Sequence, residues 1–568
     1  MKSVTKIILS FLFVLFTLSN TVAQTIVLNQ VGYKPNSNKL AFITSDTEAK
    51  TFQIKDILTN EVVYKGEISA PKYWKYSGTN VSIADFSNFQ KPGKYSIVVG
   101  NSFKSININN SIYNSLGTKS LDSYYLARAS ENISEKYAGV YARPLGHPDN
   151  KVIIHASAAS DKRPEGTIIS SPSGWYDAGD YNKYIVNSGI SVYTLLQLYE
   201  MFPEYCKKLK LEIPENTNQV PDILDEILVN LRWMLTMQDP NDGGVYHKLT
   251  TKYFCGMIMP EEDKLDRYVV MKSTAASLDF AATMAKASRI FSKYEKNYPE
   301  LANTFLMASK NAWNWAQKNP NVIYVQPKDI STGEYGDNQI EDEKYWAAIE
   351  LYLSTKNADY LNHLPENLKI KTPNWFHVES LGAFSLVSNT EKVNDSKIKA
   401  KIELIKQKLV NTADELIKTH DESAFQISMN SFAWGSNSDL ANQGVLLLHV
   451  YKITNDKKYL KAAEDCLHYI LGSNPLNMCY VTSFGENSPK HIHDRRSSAD
   501  KIDAPIPGLL VGGPTTASRS DCGEDKYQST FPALSYTDME CSYSTNEIAI
   551  NWNAPLAFLV NAINAIDQ

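Results

Sequence analysis

The hydrophobic period of this chain changes once, near Ser111, and that change sets what it can fold into. Before it the pattern alternates: in Lys94-Tyr95-Ser96-Ile97-Val98-Val99, residues Tyr95, Ile97 and Val99 fall on one face behind the turn signal Pro92-Gly93. Phe52-Gln53-Ile54 and Val62-Val63-Tyr64 supply further short strands, so a small β-sandwich of about 85 residues is expected up to about Asn109. After it the spacing is helical. Ile223, Leu224, Ile227, Leu228, Leu231 and Leu235 recur behind Pro221, whose missing N–H is tolerated in a first turn. Similar patterns run over Tyr184 to Met201, Met271 to Phe291, Ala302 to Gln317, Asp342 to Leu353, Ile398 to Ile417, Leu440 to Tyr451, Leu460 to Leu471 and Asn546 to Ile563. They predict a mainly α C-terminal part of about 455 residues. The stretch Asn474 to Tyr536, rich in Gly, Pro, Ser and Asp, breaks the pattern, and a loop that long is usually functional.

At 568 residues the chain exceeds one ordinary domain, which fits a large helical domain with an accessory. Lys2 and Lys6 precede the apolar run Ile7 to Leu18, and Thr21-Val22-Ala23 offers small residues for cleavage, so residues 1–23 read as an export signal. The run is about 12 residues, short of the roughly 20 that a spanning helix needs. No membrane span is expected, and the protein is expected in the periplasm or outside the cell. Six cysteines are too few and too scattered for a disulfide framework, so packing is expected to hold the fold. A net charge of -5 with mixed signs leaves no footprint for nucleic acid. The 33 tyrosines and nine tryptophans suit sugar faces as well as a large core.

Three carboxylates stand out. Asp177 and Asp180, in Gly174-Trp175-Tyr176-Asp177-Ala178-Gly179-Asp180, lie three apart across Ala-Gly, so a turn would put both on one side; the same spacing suits a helix N-cap. Glu547 is expected at the start of the last apolar helix, where it serves either the helix dipole or, with its pKa raised by Tyr543 and Trp552, as a general acid. His491-Ile492-His493-Asp494-Arg495-Arg496 offers a polar clamp for hydroxyls or a solvated basic loop. Tyr335 to Glu343 gathers four carboxylates at a helix start, a pattern that suits Ca²⁺ or a helix N-terminus.

Together these stretches resemble family 9 of the glycoside hydrolases, in the subgroup with an N-terminal immunoglobulin-like domain. Further stretches carry the likeness: Asn29-Gln30-Val31-Gly32-Tyr33, Gly244-Val245-Tyr246-His247-Lys248-Leu249-Thr250, Trp434-Gly435-Ser436-Asn437, Gly472-Ser473-Asn474-Pro475, Gly512-Gly513-Pro514 and the run around Asn546-Glu547. The resemblance implies an (α/α)6 barrel over residues 110–568 behind an immunoglobulin-like sandwich over residues 24–109. It implies an inverting β-1,4-glucanase with Asp180 as general base, Asp177 holding the water and Glu547 as general acid. The two working carboxyls of an inverting enzyme stand roughly 6.5 to 9.5 Å apart. His493 and Arg495 would bind substrate, with Trp434, Tyr246, His247 and Trp552 as further sugar contacts.

The same resemblance implies no cofactor for the chemistry and a structural Ca²⁺ near Asp337, Asp342 and Glu343. Zinc is not expected, because Ala129 and Gly146 stand where the family has cysteines and leave His147 alone. Asp494 stands where a second histidine is usual, which places one substrate contact in question. The expected partner is a β-glucan, cut internally; exo-acting relatives on the same barrel and a glycan-binding protein without turnover are the rivals.

Overall fold

The computed structural model describes residues 25–45, 49–364, 369–393, 395–517, 519–527 and 529–566; the expected export signal lies outside them. The first strands are β1 Ile26–Val27, β2 Leu40–Ile43, β3 Thr51–Asp56, β4 Val62–Glu67, β5 Lys72–Trp74, β6 Thr79–Asp85, β7 Gly93–Val99 and β8 Ser102–Ile108. They form two antiparallel sheets, ordered β1-β2-β6-β5 and β4-β3-β7-β8. Between them Ile43, Phe52, Ile54, Phe86, Tyr95, Ile97 and Val99 make a small core. Tyr95, Ile97 and Val99 thus share the inner face that alternation predicts.

The β1-β2-β6-β5 sheet is buried on its other face as well. Val27, Leu40, Phe42, Trp74 and Val81 join the large core of the helical part. Phe42 and Trp74 stack against Phe425 at 5.1 and 4.8 Å between ring centroids. Polar contacts continue the seam: Asn38 donates its amide to both Asp465 oxygens at 2.9 and 2.8 Å, and Gln30 Nε2 donates to the Asn477 carbonyl at 2.8 Å. A sheet apolar on both faces needs cover on both, which explains why the sandwich sits against the barrel.

The helical part is an (α/α)6 barrel. Ile185–Met201 packs on Thr274–Phe291, which packs on Glu341–Thr355, and that helix on Glu379–Ser388; Ser436–Thr454 packs on Ile550–Ile566, which returns to Ile185–Met201. These inner helices are buried on nearly every side: Ile185 to Tyr199 is buried without a break, and Thr274–Phe291 is buried except at Arg289. Outer helices bury one stripe. In Ser396–Glu422 the buried positions include Ile398, Ile402, Ile405, Leu409 and Ala413, a spacing of three to four residues.

Two details depart from expectation. The last helix begins at Ile550 rather than Asn546, and Glu547 lies in extended backbone between it and a short turn of helix at Tyr543–Asn546. Cys522, in the long loop, and Cys541, just after it, form a disulfide, so one cross-link supplements the packing. Sequence also gave no sign of a small sheet near the helix starts, which runs Ile168–Ile169, Val152–Ile154, Tyr268–Val269, Lys248–Thr250 and Lys183–Tyr184. Its strands are two or three residues long, too short to show a period.

Candidate active site

Main-chain pairing brings the distant carboxylates to one place. Ala178 pairs antiparallel with Ala549, and Ile550 N–H donates to the Asp177 carbonyl at 2.8 Å. His493 pairs in parallel with Glu547, its N–H donating to the Asn546 carbonyl at 2.9 Å, while Gly512 N–H donates to the Glu547 carbonyl at 2.9 Å. Arg495 N–H closes the set on the Gly179 carbonyl at 3.1 Å. A Cβ on Gly179 would stand 2.2 Å from the His493 carbonyl oxygen, so only glycine allows this approach. Neither aspartate caps the following helix; its N-cap position is Tyr184, without a side-chain cap bond.

Asp177, Asp180 and Glu547 line one open cavity of about 880 Å³, together with His493, Arg495, Trp434 and Trp552. Sequence reasoning missed Phe254, Tyr335 and Trp375 on its walls, and took Tyr543 only as a neighbour of Glu547. Phe254 and Trp434 are each 44% exposed, unusual for rings of their size and suited to a sugar face. No sequence signal separates Phe254, Tyr335 and Trp375 from core aromatics, since each comes from a different loop.

Hydrogen bonds set the aspartates apart. Asn187 Nδ2 donates to both Asp177 oxygens at 3.0 and 3.1 Å, and the Tyr335 hydroxyl donates to Oδ2 at 3.0 Å. On Asp180 the donors Asn182 and Tyr184 both fall on Oδ2, which leaves Oδ1 for a water. Tyr335 holds its place with φ of +47°, a left-handed conformation rare for an aromatic residue. Burial, then the charge of Asp180, pushes the Asp177 carboxyl well above its usual range. Burial followed by Asp180 also pushes the Glu547 carboxyl well up, against the lowering pull of Arg495.

Arg495 is also a brace. Its Nη1 donates to the Gly179 carbonyl at 2.7 Å and its Nε to the Cys255 carbonyl at 3.1 Å, with its guanidinium 5.3 Å from the Phe254 ring centre. Tyr543 sits between Trp434, at 5.6 Å, and His493, at 5.9 Å. His493 Nδ1 donates to the Glu540 carbonyl at 2.6 Å, beside the disulfide.

Tyr246 and His247 are fully buried and are not among the lining residues. His247 Nε2 donates to the Glu334 carbonyl at 2.9 Å and its ring stacks on Tyr324 at 3.8 Å. Lys248 donates to the Gly333 carbonyl at 2.6 Å and to Thr332 Oγ1 at 3.0 Å. The pair thus grips the Ser331 to Tyr335 wall from outside. Asp494 also faces inward: it pairs with Arg496 Nε at 3.0 Å and accepts from Ser497 Oγ at 2.8 Å. His147 bonds to Tyr176 and Asp263, with Ala129 and Tyr181 packed nearby.

Asp337, Asp342 and Glu343 gather with Asp279 and Glu379. The ligand atoms of Asp342, His377 and Glu379 lie within 4.8 Å of one another. Asp279 Oδ1, Asp337 Oδ2 and Glu343 Oε2 are buried and meet no hydrogen-bond partner among the described residues. Burial and mutual repulsion push Asp337 up to about 6 and Glu379 to about 7. Unpaired buried carboxylates of this kind fit a hard cation.

Residues 113–560 match the family description Glycosyl hydrolase family 9, and residues 21–103 match the Cellulase N-terminal ig-like domain. A xyloglucan-specific endo-β-1,4-glucanase of Bacteroides ovatus is 42% identical over 98% of this chain and 97% of that protein. Endoglucanase D of Acetivibrio thermocellus is 33% identical over 94% of this chain and 82% of that protein. A solved structure described as Bacteroides ovatus GH9 superposes with a TM-score of 0.89 at 41% identity, covering 96% of this chain and 99% of that one. A match across most of the chain, together with these relatives, makes this protein a member of glycosyl hydrolase family 9: a glycoside hydrolase with an immunoglobulin-like N-terminal domain.

Proposed function

We propose that the protein is an exported, endo-acting β-1,4-glucanase that inverts the anomeric centre and accepts xyloglucan among its substrates. One observation carries the reading: Glu547, with its carboxyl pushed well up, lines the same cavity as the hydrogen-bonded pair Asp177 and Asp180. Glu547, whose protonated form burial favours, gives its proton to the leaving glycosidic oxygen. Asp180, with Oδ1 open, takes the proton of the attacking water, and Asp177, fixed by Asn187 and Tyr335, orients that water. Phe254, Trp375 and Trp434 stack on glucosyl rings, while His493 and Arg495 meet hydroxyls. The names of the relatives support internal cleavage and xyloglucan.

Export is supported by the apolar run behind Lys2 and Lys6 and by the Cys522–Cys541 disulfide, which persists in oxidising compartments. Among the described residues no helix is long and apolar enough to cross a membrane. Among the described residues only the ligand atoms of Asp342, His377 and Glu379 lie close enough together for one ion, so a calcium there would be held by Asp342 and Glu379, with Asp279, Asp337 and Glu343 adding buried negative charge nearby; it takes no part in bond cleavage.

The test follows viscosity, reducing ends and anomeric configuration on soluble β-1,4-glucans for wild type and Glu547→Gln. A fast viscosity drop with α-anomer as first product, lost in the variant, is expected. Small products without a viscosity drop would favour an exo-acting enzyme. A β-anomer as first product would overturn the inverting assignment.

A further inference from the structure

We propose that a polar side pocket beside the cleft, formed by Lys371, Thr372, Asn374, Asn430, Asp439 and Gln443, takes a neutral sugar branch of a substituted β-1,4-glucan. This deepens the glucanase reading above and rests on it. The pocket holds about 210 Å³. Its place follows from the chain: Asn374 is followed by the cleft-lining Trp375, and Ser431, also on the pocket, is followed two and three residues later by the cleft-lining Ala433 and Trp434. Two loops therefore present an aromatic ring to the backbone glucan and polar groups to the space next to it.

The hydrogen-bonding capacity of the pocket is only partly used. Asn374 Oδ1 accepts from the N–H groups of Phe376 and His377 at 2.9 and 2.8 Å, which leaves its amide NH₂ without an acceptor among the described residues. Gln443 accepts from Ser428 Oγ at 2.7 Å through Oε1, so its NH₂ is likewise spare. Asp439 is half-buried and accepts no side-chain hydrogen bond among the described residues. Burial alone pushes its carboxyl up to about 7. Spare donors beside a spare acceptor suit hydroxyls, which do both. Most of the lining is uncharged amide and hydroxyl, which suits a neutral branch. An unbranched glucan reaches past the pocket and leaves it to water.

The test compares kcat/KM on xyloglucan and on an unbranched mixed-linkage β-glucan for wild type, Asp439→Ala, Gln443→Ala and Lys371→Ala. Lys371 is exposed at the rim, so its variant keeps the fold intact and the comparison valid. The expected result is a fall of about tenfold or more on xyloglucan, carried by KM, with the unbranched substrate changed by less than about twofold. Equal falls on both substrates, no change on either, or a wild type that cuts only the unbranched glucan would overturn the pocket assignment while leaving the glucanase reading in place. A wild type inactive on both would overturn that reading first, and this one with it.

Discussion

The backbone N–H of Ile550 donates to the carbonyl of Asp177 at 2.8 Å, so the segments carrying the proposed acid Glu547 and the proposed water-holding Asp177 are joined through main chain rather than side chains. Ala178 with Ala549 and His493 with Glu547 extend the same pairing. Main-chain bonds fix spacing more firmly than rotatable side chains do, which suits a reaction that tolerates little misplacement.

Gly179→Ala tests that coupling. The added Cβ meets the His493 carbonyl at 2.2 Å, so the strands must part. A loss of about 1–3 kcal/mol in stability is expected, with a fall of about 10²-fold in kcat because the carboxyls shift relative to one another. Denaturant melts and steady-state kinetics check both; wild-type kinetics would mean the pairing does not set the geometry.

Glu547 links activity to stability with opposite signs. Its native carboxyl titrates well above the ordinary 4.5, so between those values the native state keeps a proton that the unfolded chain has released. Stability from this group is therefore full below about pH 4.5 and declines as pH rises towards the native value. Glu547→Gln is expected to raise Tm at pH 7 while lowering kcat by about 10²–10⁴-fold. Arg495→Met removes the positive charge that pulls Glu547 down, so the alkaline limb of kcat/KM is expected at higher pH; an unmoved limb would assign it to another group.

Calcium removal is read from Tm. With the ion at 100 times its dissociation constant, stabilisation of about 2.7 kcal/mol is expected, lost on chelation. Asp342→Asn and Glu379→Gln should abolish the calcium-dependent increment. A Tm indifferent to calcium and chelator would leave the buried carboxylates to be explained by protonation.

The sandwich is expected to act as a cover for the barrel. Trp74→Ala should cost about 3–5 kcal/mol, since Trp74 is 4% exposed and packs on Phe425 and Phe432. Removing residues up to Asn109 uncovers Phe425 and Asp465 together and should lower soluble yield; a barrel of unchanged Tm would contradict this.

The sequence by itself determined the two periods, the helices and the motifs holding Asp177, Asp180 and Glu547, because alternation and three-to-four spacing report which face is buried. The family resemblance also names His493, Arg495, Trp434 and Trp552 as expected substrate contacts, and the structure brings them to the same cavity. Tyr246 and His247 read the same way from their motif, yet both are buried away from the cavity, His247 holding its wall from behind through the Glu334 carbonyl. Only the tertiary structure decided that, and likewise that Asp494 turns inward to Arg496 and that Glu547 stands in extended backbone before the last helix. The reason is physical: a motif fixes which groups are near in sequence, whereas the direction each side chain takes depends on pairing between segments hundreds of residues apart, such as Ala178 with Ala549.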